Sequence, residues 1–173
     1  MIQQPIKVDE NNFHLLSDKW TFWAHLPDDI DWSVNSYKKI YDIKTCEETI
    51  AILETIPEIM VKNCMLFLMR DGIKPIWEDP QNRNGGCFSY KIQNKIVYEV
   101  WKDLCYVLVG NNISNRNEVV SNIRGITISP KKNFCIIKIW FQTCEFQNPS
   151  VITCNINGIV SQGCIFKKHV PEY

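Results

Sequence analysis

The chain is organised around one stretch of its sequence, Asp71-Gly72-Ile73-Lys74-Pro75-Ile76-Trp77-Glu78-Asp79. The glycine and proline of this stretch predict a turn that leaves Trp77 and Glu78 near a surface. A large aromatic ring beside a carboxylate can stack on a planar base and accept hydrogen bonds from the edge of that base. The two residues could also be a half-buried packing tryptophan and a solvated glutamate, and this stretch alone leaves both interpretations open.

Guanine is the base that suits such a carboxylate. Its Watson–Crick edge presents two adjacent donors, N1–H and N2–H, so one carboxylate can accept from both, whereas adenine has an acceptor at N1 that would be repelled. Hydrogen bonds to a charged group are about twice as strong as neutral ones. If the stretch forms a base site, guanine is therefore the base that it fits, with Trp77 stacked on the ring and Glu78 on its edge.

The composition predicts a single domain. A chain of 173 residues with 45% hydrophobic and 22% charged residues can bury a sufficient core without disulfides or a metal. We expect residues 1–13, which are polar and show no periodicity, to form a flexible N-terminal arm, and residues 14–173 to form the domain. The formal net charge is zero, which argues against a long footprint on DNA or RNA.

The cysteines and histidines show no ligand pattern. Eight cysteines and three histidines are present, but they form no C-x-x-C pair and lack the spacing of a zinc site. We therefore expect free thiols in a reducing compartment, with no metal and no cofactor. The sequence shows no signal-peptide pattern and no apolar run long enough to span a bilayer. These features predict a cytoplasmic monomer without membrane contact.

Hydrophobic periodicity predicts several strands and two main helices. Thr45 and Glu48 form a capping-box pattern that starts one helix, which Pro57 ends or interrupts. The second helix, from Val97 to Leu108, has the clearest amphipathic pattern and places Trp101 in the core. A turn at Gly85-Gly86 predicts that the stretch around Trp77 joins two antiparallel strands. The predicted strands are Trp20–His25, Tyr37–Ile43, Cys64–Met69, Cys87–Ile92, 125–129, Cys135–Phe141 and, more weakly, Val151–Ile156; residues 111–122 are expected to be irregular.

Several motifs together resemble one protein family. The pattern Asp-Gly-Ile-x-Pro-x-Trp-Glu-Asp followed by Gly85-Gly86 is similar to the signature of eukaryotic translation initiation factor 4E, the family that binds the 7-methylguanosine cap of mRNA. A Trp-x-x-Trp pair, Trp20 and Trp23, and a helix from Trp101 to Gly110 extend the resemblance. It implies an α+β fold with a single curved antiparallel sheet, helices on its convex face and a cap pocket on its concave side.

The resemblance also implies the role of each site residue. Trp32 and Trp77 would sandwich the methylated guanine, with Glu78 on N1–H and N2–H. Methylation at N7 makes the base cationic, so two indole faces gain about 2 kcal/mol of cation–π attraction when desolvated, above stacking of about 1–3 kcal/mol per base. Trp140 would lie against the methyl group. The triphosphate would be bound by Lys131 with Lys132 or Asn133.

Two departures from the family pattern concern phosphate binding and length. Cys87 stands where many members have a phosphate-contacting arginine, so that contact is lost unless Arg83 or Arg124 replaces it. The C-terminal part is expected to be shortened relative to the family, with a helix lost and a shorter loop toward the second nucleotide.

A third departure concerns the partner surface. The family binds a helix with a Tyr-x-x-x-x-Leu-apolar motif in a groove on the convex face. Ile50 stands where the family has its characteristic tryptophan, and a His-Pro pair becomes His14-Leu15. Cys46, Lys102 and Asp103 would line the rest, so a scaffold or regulatory protein could still bind, with altered selectivity.

The resemblance therefore predicts a non-enzymatic protein that binds capped mRNA and recruits it for translation through a scaffold. A first alternative is a cap-binding repressor that does not recruit the usual scaffold, which Ile50 keeps open. A second is an enzyme using Glu78 and Asp79 as acid and base; neighbouring extended residues point apart, which argues against it. A third is a module that kept the fold and lost the pocket.

Overall fold

The computed structural model of the protein describes residues 12–169, so nearly all of the predicted N-terminal arm, residues 1–13, lies outside the described range. The strands are β1 (Leu15–His25), β2 (Lys38–Thr45), β3 (Met65–Arg70), β4 (Gly86–Gln93), β5 (Ile123–Pro130), β6 (Phe134–Phe141) and β7 (Ile165–Lys168). The helices are α1 (Cys46–Thr55), α2 (Glu58–Asn63), α3 (Val97–Val109) and α4 (Asn117–Asn122). Single turns of 3-10 helix occupy Val34–Ser36 and Pro149–Val151.

All seven strands form one curved antiparallel sheet in the order β2-β1-β3-β5-β6-β4-β7, which confirms the α+β prediction. The loop of residues 71–85 joins two antiparallel strands, β3 and β4, as predicted. The two strands are not neighbours, because β5 and β6 lie between them. The loop therefore crosses the end of the β5–β6 hairpin.

Alternation along the strands gives the sheet two different faces. In β1, Trp20, Phe22 and Ala24 are buried in the main core, which also contains the buried sides of α1, α2 and α3. Thr21, Trp23 and His25 alternate with them and belong to the opposite, concave face. A second small cluster, centred on Phe67, Met69, Ile73, Cys87 and Trp140, covers part of that face.

The helix signals in the sequence are confirmed. The Thr45 hydroxyl accepts a hydrogen bond from the Glu48 amide, and the Glu48 carboxylate accepts one from the Thr45 amide at 3.0 Å, which completes the capping box. Pro57 separates α1 from α2. Trp101 is fully buried in α3.

Two predicted segments are wrong. Residues 117–122 form α4 within the stretch expected to be irregular. Residues 151–156 do not form a strand. Their apolar side chains Val151 and Ile156 insert into the core, while Val151 and Thr153 hydrogen-bond through their backbone to Ser114 and Ile113 of the preceding loop. Within residues 12–169, no helix is both long and apolar enough to cross a membrane.

Candidate base-binding site on the concave face

Strand register builds the floor of a groove on the concave face. Cys87 of β4 pairs with Trp140 of β6 on one side and with Lys167 of β7 on the other. Two residues along, Ser89 pairs in the same way with Lys138 and Ile165. The two rows and the loop above them enclose about 540 Å³. The groove is lined by Trp77, Cys87, Ser89, Ser129, Lys131, Ile136, Lys138, Trp140, Ile165, Lys167, Lys168 and His169.

The loop that carries Trp77 and Glu78 is braced from inside. The nearly buried Asp79 carboxylate accepts from the amides of Lys74 at 3.0 Å and Gln81 at 2.8 Å. The fully buried Asn82 side chain donates to the carbonyls of Lys74 at 3.1 Å and Ile76 at 2.8 Å. These hydrogen bonds hold the loop in one conformation. Trp77 and Glu78 therefore project from a rigid loop.

Gly85 and Gly86 serve close packing rather than a hairpin turn. A Cβ on Gly85 would lie 1.7 Å from the Phe141 carbonyl oxygen, and one on Gly86 would lie 2.5 Å from the Lys167 carbonyl oxygen. No side chain fits in either place. The two glycines therefore allow the backbone at the start of β4 to pack closely between the neighbouring strands β6 and β7.

Trp77 lines the groove, whereas Glu78, the next residue in the chain, is exposed and lines neither this groove nor its neighbour. The Trp77 side chain is 41% exposed, so one face of its indole can meet a ligand. The Glu78 carboxylate forms no hydrogen bond or ion pair with any residue in the range 12–169. It lies near Tyr37, whose phenol pKa is raised by burial and by the Glu78 charge. A carboxylate without partners beside an aromatic face suits the predicted hydrogen bonding to a base edge.

Trp140 forms the back of the groove. It is 7% exposed, and its indole N–H donates to Thr127 Oγ1 at 3.3 Å. The imidazole of His169 contacts it with ring centroids 4.6 Å apart. Trp140 and Trp77 therefore line one groove.

His169 is a groove residue that the sequence did not reveal. Its Nδ1–H donates to the Asn82 carbonyl at 2.8 Å, and its backbone N–H donates to the Gly85 carbonyl at 3.0 Å. These bonds join the end of β7 to the loop that carries Trp77. A carbonyl only accepts, so the proton of a neutral His169 lies on Nδ1. No motif marks such a residue, since it depends on β7 pairing with β4.

We expect the protein to lose stability as the pH falls from about 6.5 toward 5. Burial, with a smaller contribution from Lys138, lowers the pKa of His169, so the unfolded chain binds this proton at a higher pH than the folded one does. The stabilisation is fully present above the unfolded pKa and is lost as the pH falls through the folded one. Urea unfolding at pH 7, 6 and 5 measures this slope, and His169→Phe should flatten it. An equal slope in the variant would assign the effect to another group.

Trp32 lies in a neighbouring groove of about 250 Å³, lined also by His25, Met65, Ser129 and Lys131. Its indole is 60% exposed and stacks on the His25 imidazole, with centroids 4.3 Å apart and planes 4° from parallel. Ser129 and Lys131 line both grooves. The structure thus places Trp32 beside Trp77 in adjoining grooves and does not bring the two indoles into one.

The predicted phosphate-binding residues divide into two groups. Lys131 lines both grooves, whereas Lys132 and Asn133 are exposed in the β5–β6 turn and line neither.

The lysines missed by the sequence analysis are Lys138, Lys167 and Lys168, which line the larger groove. Lys138 and Lys167 lie near the Cys87 thiol, whose pKa burial raises. The alternation of Lys138 with Trp140 along β6 was a signal that could have revealed it.

Neither arginine suggested as a replacement at Cys87 lines these grooves. Arg124 donates to the Ser121 carbonyl and to the Gln142 side chain, and it lines a separate pocket with Asp18 and Arg70. Arg83 is exposed. The cations beside Cys87 are Lys138 and Lys167 instead.

The residues of the predicted partner groove lie at or near α1 and α3. His14 bonds to Glu47 at 2.7 Å, and its carbonyl accepts from the Cys46 amide at 2.8 Å. Ile50 is 52% exposed. The Lys102 ammonium pairs with Glu54 at 2.7 Å, which ties α3 to α1, whereas Asp103 is exposed.

Residues 15–163 match the family model of eukaryotic initiation factor 4E. Factor 4E-2 of Schizosaccharomyces pombe is 30% identical over 139 residues, which are 76% of this chain and 55% of that protein. Factor 4E of Eremothecium gossypii is 30% identical over 149 residues, 80% of this chain and 68% of that one. A 4E homologue of Acanthamoeba polyphaga mimivirus is 41% identical over 63 residues, 36% and 23% of the two chains. The chain spans about half the length of the fission-yeast factor.

Solved structures show the same fold. Schistosome initiation factor 4E, complexed with m7GpppG and 4E-BP, superposes with a TM-score of 0.70 at 23% identity over 78% of this chain and 75% of that one. Factor 4E-3 of Ascaris suum, complexed with an m2,2,7G cap, superposes with a TM-score of 0.68 at 19% identity over 78% and 76%. With the sequence match over most of its length, this chain belongs to the eukaryotic initiation factor 4E family.

Proposed function

We propose that this protein binds the 7-methylguanosine cap of mRNA on its concave face and acts in translation initiation. The observation that carries the proposal is the groove in which Trp77 and Trp140 stand beside the unpaired Glu78 carboxylate and a row of lysines. The schistosome and Ascaris relatives were solved with cap analogues, which supports the same ligand class here.

In the proposed complex the base stacks between Trp32 and Trp77. The adjoining grooves share Ser129 and Lys131, so a base bound over these residues lies between the segment that carries Trp32 and the loop that carries Trp77. Glu78 then accepts from N1–H and N2–H, and Trp140 lies against the N7-methyl group. Two indole faces around a cationic base supply the preference for methylated over unmethylated guanine.

The structure offers no support for acid and base catalysis by Glu78 and Asp79. Both oxygens of the Asp79 carboxylate already accept backbone hydrogen bonds inside the loop. A group fixed in this way braces Trp77 and Glu78 and has no free oxygen toward a ligand. We therefore assign binding, and not hydrolysis, to the site.

The proposed outcome of binding is recruitment of mRNA through a scaffold whose helix lies on α1 and α3. The schistosome relative was solved with 4E-BP and a C. elegans relative with the 4E-binding protein Mextli, which supports a protein partner for this fold. Ile50, which stands where the family has its characteristic tryptophan, is half-exposed at this surface. The alternative of a repressor that does not bind the usual scaffold therefore stays open. Affinity purification from the native host separates the two, since recovery of a large scaffold together with a helicase contradicts repression.

The test of cap binding is a titration of the purified protein with 7-methyl-GTP and with GTP, followed by tryptophan fluorescence. We expect saturable quenching with a strong preference for the methylated nucleotide, because only the methylated base is cationic. An equal response to both would indicate a general nucleotide binder. No response to either would mean that the chain keeps the family fold without the pocket.

Neutralising Lys138 or Lys167 should weaken binding of phosphate-bearing caps by about threefold each, as expected for partly exposed ion pairs. Affinities of Lys138→Gln and Lys167→Gln are measured for 7-methyl-GTP and for 7-methylguanosine, which lacks phosphate. Only the nucleotide should lose affinity, and its loss should shrink in high salt. Lys44→Gln, on the far edge strand β2, is the matched control. A loss shared by the nucleoside would place these lysines at the base instead.

A further inference from the structure

We propose that His25 is a positioning residue for Trp32, holding the indole in the orientation that stacks on the base. The inference rests on the proposed cap binding for its ligand, but its geometry stands without any ligand. His25 belongs to none of the motifs in the sequence, and its burial follows from its place at the end of β1.

The imidazole is buried and is held by one hydrogen bond and one aromatic contact. It is 2% exposed, and its Nε2–H donates to the Asp31 carbonyl at 2.8 Å. Tyr37 meets it edge-on with centroids 5.1 Å apart, and Phe67 of β3 supports Tyr37 in the same manner at 5.3 Å. A column of aromatic rings therefore runs from the sheet to His25, and Trp32 forms its outer end.

The backbone on both sides of Trp32 is held as well. The Asp31 carboxylate accepts from the Ser33 amide at 2.7 Å and from the Ser33 hydroxyl at 2.8 Å. Asp29 accepts from the Asp31 amide at 3.0 Å. One hydrogen bond from His25 to the Asp31 carbonyl therefore anchors a loop that is already folded on itself, and it does so next to the indole.

The parallel stack has a direct consequence for the ligand. With planes 4° apart and centroids 4.3 Å apart, the imidazole covers one face of Trp32 and leaves the other face for the base. It also removes rotational freedom from a side chain that is more than half exposed. Less conformational entropy of the indole is then lost on binding, which is the usual benefit of a pre-organised site.

The test is a double-mutant cycle between His25 and Trp32, read as affinity for 7-methyl-GTP. His25→Ala removes the ring and the donor, His25→Gln keeps a donor without the ring, and His25→Phe keeps a ring without the donor. Since the stacked ring is lost in Ala and Gln and kept in Phe, we expect a loss of about fivefold for Ala and Gln and about twofold or less for Phe. In a Trp32→Ala background all three should have no further effect. An undiminished loss in that background would show that His25 acts through the fold and would overturn the proposal.

A second measurement needs no nucleotide. Acrylamide quenching of the emission that is lost in Trp32→Ala reports how accessible the Trp32 indole is, which rises when the indole leaves the His25 ring. We expect that emission to be quenched more in His25→Ala than in the wild type or in His25→Phe, and equal quenching overturns the positioning role. If the wild type fails to bind 7-methyl-GTP while quenching still separates the variants, the proposed function fails and the positioning role stands.

Discussion

Replacing Trp77 by alanine is expected to lower the affinity for 7-methyl-GTP by about 30-fold to 150-fold. The indole supplies one face of the proposed sandwich, and stacking with cation–π attraction to the methylated base together contribute about 2–3 kcal/mol. Affinity for GTP should fall less, because the neutral base loses stacking alone. The preference for the methylated nucleotide should therefore shrink together with the affinity.

The variant is measured by calorimetry, since removing a tryptophan alters the fluorescence signal. Trp77 is 41% exposed and lies outside the main core, so the thermal unfolding midpoint should hardly change. Ile59→Ala, a substitution of an exposed apolar residue in α2 on the convex face, is the matched control and should keep full affinity. Unchanged 7-methyl-GTP binding in Trp77→Ala would remove the residue from the site.

Replacing Glu78 by glutamine should cost about 30-fold in affinity, since hydrogen bonds to a charged group contribute about 1.5–3 kcal/mol. Glutamine keeps one acceptor but turns the other position into a donor, which then faces N1–H or N2–H of guanine. The carboxylate has no competing partner within residues 12–169, so its loss leaves no buried charge unpaired. The effect should appear in binding and not in stability.

A ligand change makes the Glu78 test sharper. 7-Methylinosine triphosphate lacks the N2 amino group, so the wild type should bind it more weakly than 7-methyl-GTP. Glu78→Gln should discriminate less between the two ligands, because the acceptor pair that reads N1–H and N2–H is gone. Glu99→Gln, on the exposed side of α3, is the control. Equal discrimination in the variant and the wild type would assign the base edge to a different group.

The helix boundaries and the buried face of α3 were predictable because nearby residues in the sequence determine them. The Thr45 capping box, the break at Pro57 and the amphipathic stripe of α3 each depend on residues within a few positions of one another. Strand order is not local. The β5–β6 hairpin separates β3 from β4 because strands distant in the sequence pair with each other. The spacing of hydrophobic residues predicts where a strand lies but not which strand it pairs with. The strand β7 was missed because its four residues are too few to show alternation.

The same division holds for the candidate site. Trp77 and Glu78 were predicted because the motif that carries them is contiguous, and Trp140 was predicted from the family resemblance. Lys167 and His169 enter the groove only because β7 pairs with β4. Asp79 looked like a second acid in the sequence, whereas the structure uses it to brace the turn.

The pairing of β7 also links ligand binding to local unfolding. This edge strand pairs with β4 alone, so its fraying is an opening of low cost compared with melting of the core. Each opening would withdraw Lys167 and His169 from the groove and release the loop at Asn82 and Gly85. Because such coupling is reciprocal, a bound cap should slow amide exchange in residues 165–169, and a molecule that competes for the edge of β4 should expel the cap without touching it.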